Sequence, residues 1–212
     1  SSILIFLLLF IIFSHQYIFI LSILILGFII CIEANKMISK ILSNKYSEKF
    51  NSNFLILNLL TFCYVFFVFC IFSYEIYSSG SSLLFFYVIS ICFFTDIGGY
   101  AFGKIIGGRK LSKISPNKTV SGTIGSFIFS MIPLIFFLQF NYLNLELNIN
   151  NIIFCLLISL ISQLGDLFIS FLKRKAKIKD TGNLLPGHGG ILDRVDGIIF
   201  AVPFSYFLLK LI

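Results

Sequence analysis

Residues 151–172 read NIIFCLLISLISQLGDLFISFL, a nearly unbroken apolar run that ends at the basic triplet Lys173-Arg174-Lys175. The run is long enough to cross the hydrocarbon core of a bilayer, which takes about 20 helical residues. Its apolar residues are continuous and do not alternate with polar ones, which argues against a strand of a membrane barrel. A helix satisfies its own backbone hydrogen bonds in lipid. The stretch therefore predicts a transmembrane helix that contains one carboxylate, Asp166.

The same apolar pattern recurs along the chain. Hydrophobic residues make up 58% of the 212 positions and charged residues only 12%, against about 25% charged residues in an average soluble domain. We therefore expect an all-α, polytopic membrane helix bundle with about seven transmembrane helices. The predicted spans are 2–13, 17–34, 54–72, 83–102, 121–140, 151–172 and 195–212.

The basic residues predict the orientation of the spans. Of the 16 lysines and arginines, 15 fall in the loops after the second, fourth and sixth spans, and Lys210 is the exception. The opposite loops, 14–16, 73–82 and 141–150, contain none. Because cytoplasmic loops carry the excess of Lys and Arg, the N-terminus and the three basic loops are predicted to be cytoplasmic. The net charge of +7 then points to anionic lipid or a phosphorylated substrate as partner, and not to nucleic acid.

A glycine-rich segment follows the fourth span. Asp96 ends the apolar run, and five glycines lie between positions 98 and 108, with basic residues beside them. We expect residues 95–104 to open a cytoplasmic loop whose backbone N–H groups, with nearby Lys and Arg, bind phosphate. The alternative is that the glycines allow close packing of membrane helices. The spacing alone does not decide between the two.

Three carboxylates lie at the ends of the last two spans. Asp166 shares a helical face with Gln163 and Ser170, and a carboxylate inside a span is a candidate functional residue because it is costly to bury. Asp193 and Asp196, three residues apart, also share a face. If these helices are neighbours, the three carboxylates converge at the cytoplasmic boundary, repel each other and have raised pKa values unless a cation lies among them. A hard cation such as Mg²⁺, bound by one or two carboxylates and substrate phosphate, suits this arrangement.

Simpler interpretations of the same residues remain open. Asp193 could pair with a nearby lysine. The basic run 173–179 could be only an anchor on the cytoplasmic side. His188 could be an ordinary loop residue.

Residues 170–196 read SFLKRKAKIKDTGNLLPGHGGILDRVD, and this run resembles the signature of phosphatidate cytidylyltransferases, also called CDP-diacylglycerol synthases. The segments Asp96-x-x-x-Tyr100-x-x-Gly103-Lys104 and Ser115-Pro116-x-Lys118-Thr119 are similar to the same family, so the resemblance covers roughly residues 95–200. The first 90 residues match only in being hydrophobic. Ser121 stands where the family usually has a Glu, so the role of that carboxylate is not carried over.

The resemblance implies transfer of CMP from CTP to phosphatidate, which gives CDP-diacylglycerol and pyrophosphate. It implies Mg²⁺, with a second cation left open, a homodimer, and a multi-pass protein of the bacterial inner membrane whose active site faces the cytoplasm. Residues 1–94 would then be N-terminal transmembrane helices and residues 95–212 a catalytic membrane domain. By similarity, Asp166 and Asp193 are the predicted metal ligands. The other predicted catalytic residues are Asp196, Lys173 and Arg174, and the predicted substrate-binding residues are Asp96, Ser115, Lys118, Lys179, Asp180, His188 and Arg194.

Parts of this pattern also resemble three other functions. A CDP-alcohol phosphotransferase also begins its motif with Asp-x-x-Asp-Gly, as at 193–197, but the residues that should follow are missing. A CTP-dependent lipid kinase would transfer only phosphate. A transporter could use intramembrane acids for an ion path, but the carboxylates gather at one face and no interrupted spans correspond between two halves of the chain.

Overall fold

The computed structural model describes residues 15–42, 47–80, 82–111, 115, 118–140, 143, 145–184 and 189–211, with only the backbone given for 47–51, 79 and 80. These residues form helices joined by short loops. Residues 64–70 between α2 and α3 are wound as a π-helix. The helices are α1 (Gln16–Leu42), α2 (Ser47–Cys63), α3 (Ile71–Gly80), α4 (Ser82–Ile105), α5 (Val120–Phe129), α6 (Ile132–Gln139), α7 (Ile149–Lys175), α8 (Leu192–Val195) and α9 (Ile198–Leu211).

Five helical stretches in the described part of the chain are long and apolar enough to cross a membrane. They are Gln16–Leu42, Ser52–Ser78, Ser82–Ile105, Val120–Gln139 and Ile149–Lys175. Each contains most of one predicted span, which confirms the all-α bundle.

The other two predicted spans are not confirmed. The run 2–13 lies outside the described residues. The run 195–212 contains α9, whose 14 residues extend about 21 Å at 1.5 Å per residue, short of the bilayer core of about 30 Å. The count of seven spans and the cytoplasmic N-terminus therefore stay predictions.

Close packing of α4 and α5 explains three of the five clustered glycines. The expectation that residues 95–104 form a loop was wrong, because α4 continues through them to Ile105. A Cβ atom built on Gly98 would lie 2.6 Å from the Cβ of Phe129, and one built on Gly122 of α5 would lie 2.8 Å from the carbonyl oxygen of Gly99. The two helix backbones touch at these glycines, which is how small residues pack helices in membranes.

The remaining two glycines form the turn after α4. Gly107 and Gly108 have φ angles of 64° and 103°, in the region that glycine adopts without steric cost. The Ser121 hydroxyl donates a hydrogen bond to the Gly107 carbonyl and lies 3.0 Å from the Thr119 hydroxyl. Ser121, which replaces the expected Glu, therefore ties this turn to the start of α5.

Helices α7 and α9 are neighbours, as the convergence of carboxylates requires. A Cβ atom on Gly165 would lie 2.6 Å from the ring of Phe200, and one on Gly197 would lie 2.9 Å from the carbonyl oxygen of Ser162. Glycine at both positions lets the two helices approach closely. Asp196 is thereby brought beside the C-terminal half of α7.

Candidate active site

Acidic residues on three helices lie at the same distance from the helix ends. Glu33, Asp96 and Asp166 each stand nine residues before the last residue of α1, α4 and α7, respectively. The final turns of these helices carry Lys40, Lys104 and the triplet 173–175. Because successive spans cross in opposite directions, the first, third and fifth described spans run the same way. Their carboxylates therefore lie at a common depth, below one basic end of the bundle.

Asp166 is at the centre of a cluster of charged side chains. It forms an ion pair with Lys118 from the loop before α5, and the Ser170 hydroxyl donates a 3.4 Å hydrogen bond to its Oδ1 atom. The Ser170 contact confirms that the two residues share a helical face. The Asp196 carboxyl lies within hydrogen-bonding reach of Asp166, and the Asp96 carboxyl is near enough to repel it. Four separate segments thus meet at Asp166.

The composition of this cluster suits a hard cation. The carboxyl groups of Asp166 and Asp196 are near enough to share a hydrogen bond, and Lys118 is paired with Asp166. Carboxylates this close repel each other unless a proton or a cation lies between them. Within the described residues, no group of three or more His, Cys, Asp or Glu side chains is arranged to hold a metal by itself. Asp166 and Asp196 would supply two oxygen ligands, and Mg²⁺ commonly completes such a site with substrate phosphate and water.

Asp193 belongs to a different set of contacts. Its Oδ1 atom accepts a 2.8 Å hydrogen bond from Lys173, and its Oδ2 atom accepts bonds from the backbone N–H groups of Thr181 and Gly190 at 2.8 and 2.9 Å. Burial disfavours the charged carboxylate, but Lys173 and the two N–H groups outweigh it and lower the pKa of Asp193. The structure therefore agrees with the simpler interpretation, in which Asp193 pairs with a nearby lysine. Its assignment as a metal ligand stays a prediction.

Lys173 connects the two groups of acids. Its ammonium is paired with Asp193 and is also near enough to act electrostatically on Asp166 and Asp196. The Lys173 side chain is only 15% exposed, so its interactions are weakly screened. A phosphate placed beside Asp166 would therefore lie near both Lys118 and Lys173.

Five of the remaining predicted site residues lie in the described part of the chain, and one does not. His188 lies outside the described residues. Ser115 is half-buried, in the loop that leads to Lys118. Exposed positions are occupied by Arg174, Lys179, Asp180 and Arg194.

Sequence reasoning missed Glu33. This carboxylate is only 1% exposed, and it accepts hydrogen bonds from Thr181, Ile191 and Leu192. Glu33 lies inside the predicted span 17–34. A carboxylate within a span is a candidate functional residue, as Asp166 is, so the same rule would have identified Glu33.

Comparison with known proteins agrees with these features. A model of the cytidylyltransferase family matches residues 2–212. The chain is 46% identical over 127 residues to the phosphatidate cytidylyltransferase of Bacillus subtilis (strain 168), covering 59% of this chain and 47% of that protein. It is 43% identical over 142 residues to the phosphatidate cytidylyltransferase of Staphylococcus aureus (strain COL), covering 65% of this chain and 53% of that protein. The chain thus spans about half the length of the curated relatives that it matches. Since the family model matches almost every residue, the chain belongs to the cytidylyltransferase family.

Proposed function

We propose that this protein transfers CMP from CTP to phosphatidate, giving CDP-diacylglycerol and pyrophosphate. The observation that carries the proposal is the cluster of Asp166 and Asp196 with Lys118 and Lys173 nearby, at the basic end of a bundle of apolar helices. Its relatives of 43% and 46% identity are phosphatidate cytidylyltransferases. A two-chain lipid stays in the leaflet while CTP arrives from water. Both can meet only where charged groups stand at a membrane boundary.

The reaction needs charge neutralisation more than it needs a base. An oxygen of the phosphatidate phosphate, already an anion at neutral pH, forms a bond to the α-phosphorus of CTP. The bond from that phosphorus to the bridging oxygen breaks, and pyrophosphate leaves with the electron pair. Lys118 and Lys173 neutralise charge on the phosphoryl oxygens, which is the main catalytic contribution in such transfers. Asp193 holds Lys173 in place through its 2.8 Å contact.

The cation is the second part of the proposal. Asp166 and Asp196 would hold Mg²⁺, with Asp96 adding negative charge beside them. A cation held by these two carboxylates would supply positive charge to offset the negative charge that develops as pyrophosphate leaves. Asp193 would become a ligand only by exchanging its hydrogen bonds from Thr181 and Gly190 for the metal. We therefore favour Asp166 and Asp196 as the pair, and a second cation remains a separate proposal.

The test follows the radioactive label of CTP into lipid. Purified protein in phosphatidate-containing vesicles with Mg²⁺ should transfer label from α-³²P-CTP to lipid and release label from γ-³²P-CTP as pyrophosphate. Label from γ-³²P-CTP in the lipid would instead identify a lipid kinase. Ion movement in liposomes without any consumption of CTP would identify a transporter. Either result refutes the proposal.

The cellular setting is proposed on the same grounds. The five apolar helices and the bacterial relatives support an integral membrane protein of the bacterial inner membrane. The basic loops favour an active site that faces the cytoplasm. A homodimer is proposed from the family resemblance, and crosslinking in membranes would test it.

A further inference from the structure

The buried carboxylate of Glu33 is the starting point. It lies in an apolar helix long enough to span a membrane, and only 1% of the residue is exposed. A carboxylate in such a helix is costly unless it has partners. Among the described residues, its hydrogen-bond partners are Thr181, Ile191 and Leu192, which are distant in the chain. Glu33 therefore joins the first described helix to the segment that follows α7.

Three donors occupy the two oxygens of Glu33. The Oε1 atom accepts from the backbone N–H of Ile191 at 3.0 Å. The Oε2 atom accepts from the backbone N–H of Leu192 at 2.8 Å and from the Thr181 hydroxyl at 2.9 Å. Hydrogen bonds to a charged acceptor are stronger than neutral ones. These hydrogen bonds therefore hold Thr181 on one side and Ile191 and Leu192 on the other against α1.

The segment is shaped to receive this carboxylate. A Cβ atom on Gly182 would lie 2.6 Å from Oε1 of Glu33, and a Cβ atom on Gly190 would also collide with the carboxylate. Only glycine allows the backbone to approach this closely at these two positions. Two glycines and three donors thus form a socket, meaning a close-fitting site on the backbone, for the Glu33 carboxylate.

The socket is continuous with the contacts of Asp193. Thr181 places its hydroxyl 2.9 Å from Glu33 and 3.1 Å from Oδ2 of Asp193, while its backbone N–H bonds to that same oxygen. Gly190 donates to Asp193, and the next two N–H groups, of Ile191 and Leu192, donate to Glu33. The donors of one short segment are thus divided between the two carboxylates. Movement of either carboxylate would displace the other.

We propose that Glu33 is a positioning residue that holds Thr181 and residues 190–192 so that Asp193 presents Lys173 to the substrate phosphate. The described hydrogen bonds and ion pairs do not join Glu33 to Lys173 or Asp166, so Glu33 acts through Thr181 and Asp193. The inference rests on the proposed function for its kinetic effect. Its structural effect is measured separately.

The kinetic test uses Glu33→Gln, which keeps the shape of the side chain and places an N–H₂ group against donors. We expect the KM for CTP to rise on the order of tenfold, because Lys173 loses its fixed position. Thr181→Val should have the same effect, while Thr181→Ser, which keeps the hydroxyl, should restore near-normal KM. Combining Glu33→Gln with Thr181→Val should add little to either single change, since both act through one network. Glu75→Gln in α3, which lies outside the network, is the matched control.

Independent effects of Glu33→Gln and Thr181→Val, or an unchanged KM with only a smaller amount of active protein, would overturn the proposal. If Glu33→Gln fails to insert into the membrane, the KM values of Thr181→Val and Thr181→Ser decide instead. Equal KM values for these two variants would overturn the proposal.

Hydrogen exchange separates this inference from the proposed enzyme activity. In Glu33→Gln protein reconstituted in lipid, backbone amides of peptides covering 181–195 should exchange on the order of tenfold faster than in the wild type, as expected for lost buried hydrogen bonds. Peptides from α4 and α5 should not change. Equal protection of 181–195 in both proteins would refute the role of Glu33, whatever reaction the protein catalyses. If exchange is faster in Glu33→Gln but the wild type transfers no CMP to lipid, the proposed function is refuted and the positioning role of Glu33 is supported.

Discussion

Replacing Asp166 with Asn tests the centre of the site, because it removes one negative charge and keeps the shape of the side chain. Asp166 pairs with Lys118, accepts a hydrogen bond from Ser170 and meets Asp196. Asn can still accept from Ser170. It cannot neutralise Lys118 or contribute charge toward a cation.

The structure indicates a large effect on catalysis and a small one on stability. Removing one preorganised electrostatic group from an active site costs about 10²–10³ in kcat, and Asp166 serves both Lys118 and the cation, so we expect at least that loss. The Lys118 and Asp166 side chains are 28% and 26% exposed, so solvent weakens the pair. The repulsion among the acids is also relieved. We therefore expect the free energy of unfolding to change by less than about 1 kcal/mol.

The assay measures transfer of label from α-³²P-CTP to phosphatidate over a series of Mg²⁺ concentrations, alongside thermal unfolding in detergent. The Mg²⁺ concentration for half-maximal rate should rise at least about tenfold, as expected when a metal site is weakened. Glu146→Gln, an exposed acid outside the cluster, is the control and should behave as wild type. If Asp166→Asn keeps more than about a tenth of the wild-type rate with an unchanged Mg²⁺ requirement, the assignment of Asp166 is refuted.

Three further predictions follow from the contacts of the site and the bundle. Lys173→Ala should chiefly raise the KM for CTP, because it removes a cation from the phosphate site, and an unchanged KM in steady-state assays would count against that role. Asp193→Asn should likewise raise the KM for CTP, because it releases Lys173 from its fixed position. The pKa of Asp193 is lower in the folded protein than the value of about 3.9 expected in the unfolded chain. Its ionised form therefore stabilises the fold above that value, and this contribution is lost as the pH falls through the pKa of the folded protein. The difference in Tm between wild type and Asp193→Asn should therefore shrink toward pH 3, and a constant difference would contradict it. Gly125→Ala should destabilise the protein by about 1–3 kcal/mol, because a Cβ there would lie 2.7 Å from the carbonyl oxygen of Gly98, whereas Ile124→Ala on the exposed face should cost far less in the same thermal assay.

Local sequence patterns predicted five of the helices and the contact between Asp166 and Ser170. Hydropathy identified five helices because the cost of placing a polar backbone in lipid depends on each segment alone. The contact between Asp166 and Ser170 followed from helical spacing, which needs no knowledge of the rest of the chain. The glycines at 98–108 could not be interpreted in this way. Glycine allows both a phosphate-binding loop and close helix packing, and only the presence of α5 against α4 chose between them.

The sequence by itself determined a membrane helix bundle with acids and bases at one end, because burial in lipid and charge are properties of single segments. Only the tertiary structure decided which acid meets which partner. Asp193 and Asp196 are three residues apart, yet the first turns to Lys173 and the second to Asp166. Glu33 finds donors some 150 positions away, at Thr181 and Leu192. Such pairings depend on how close the helix backbones lie, and that distance is set by glycine contacts between segments that no local pattern brings together.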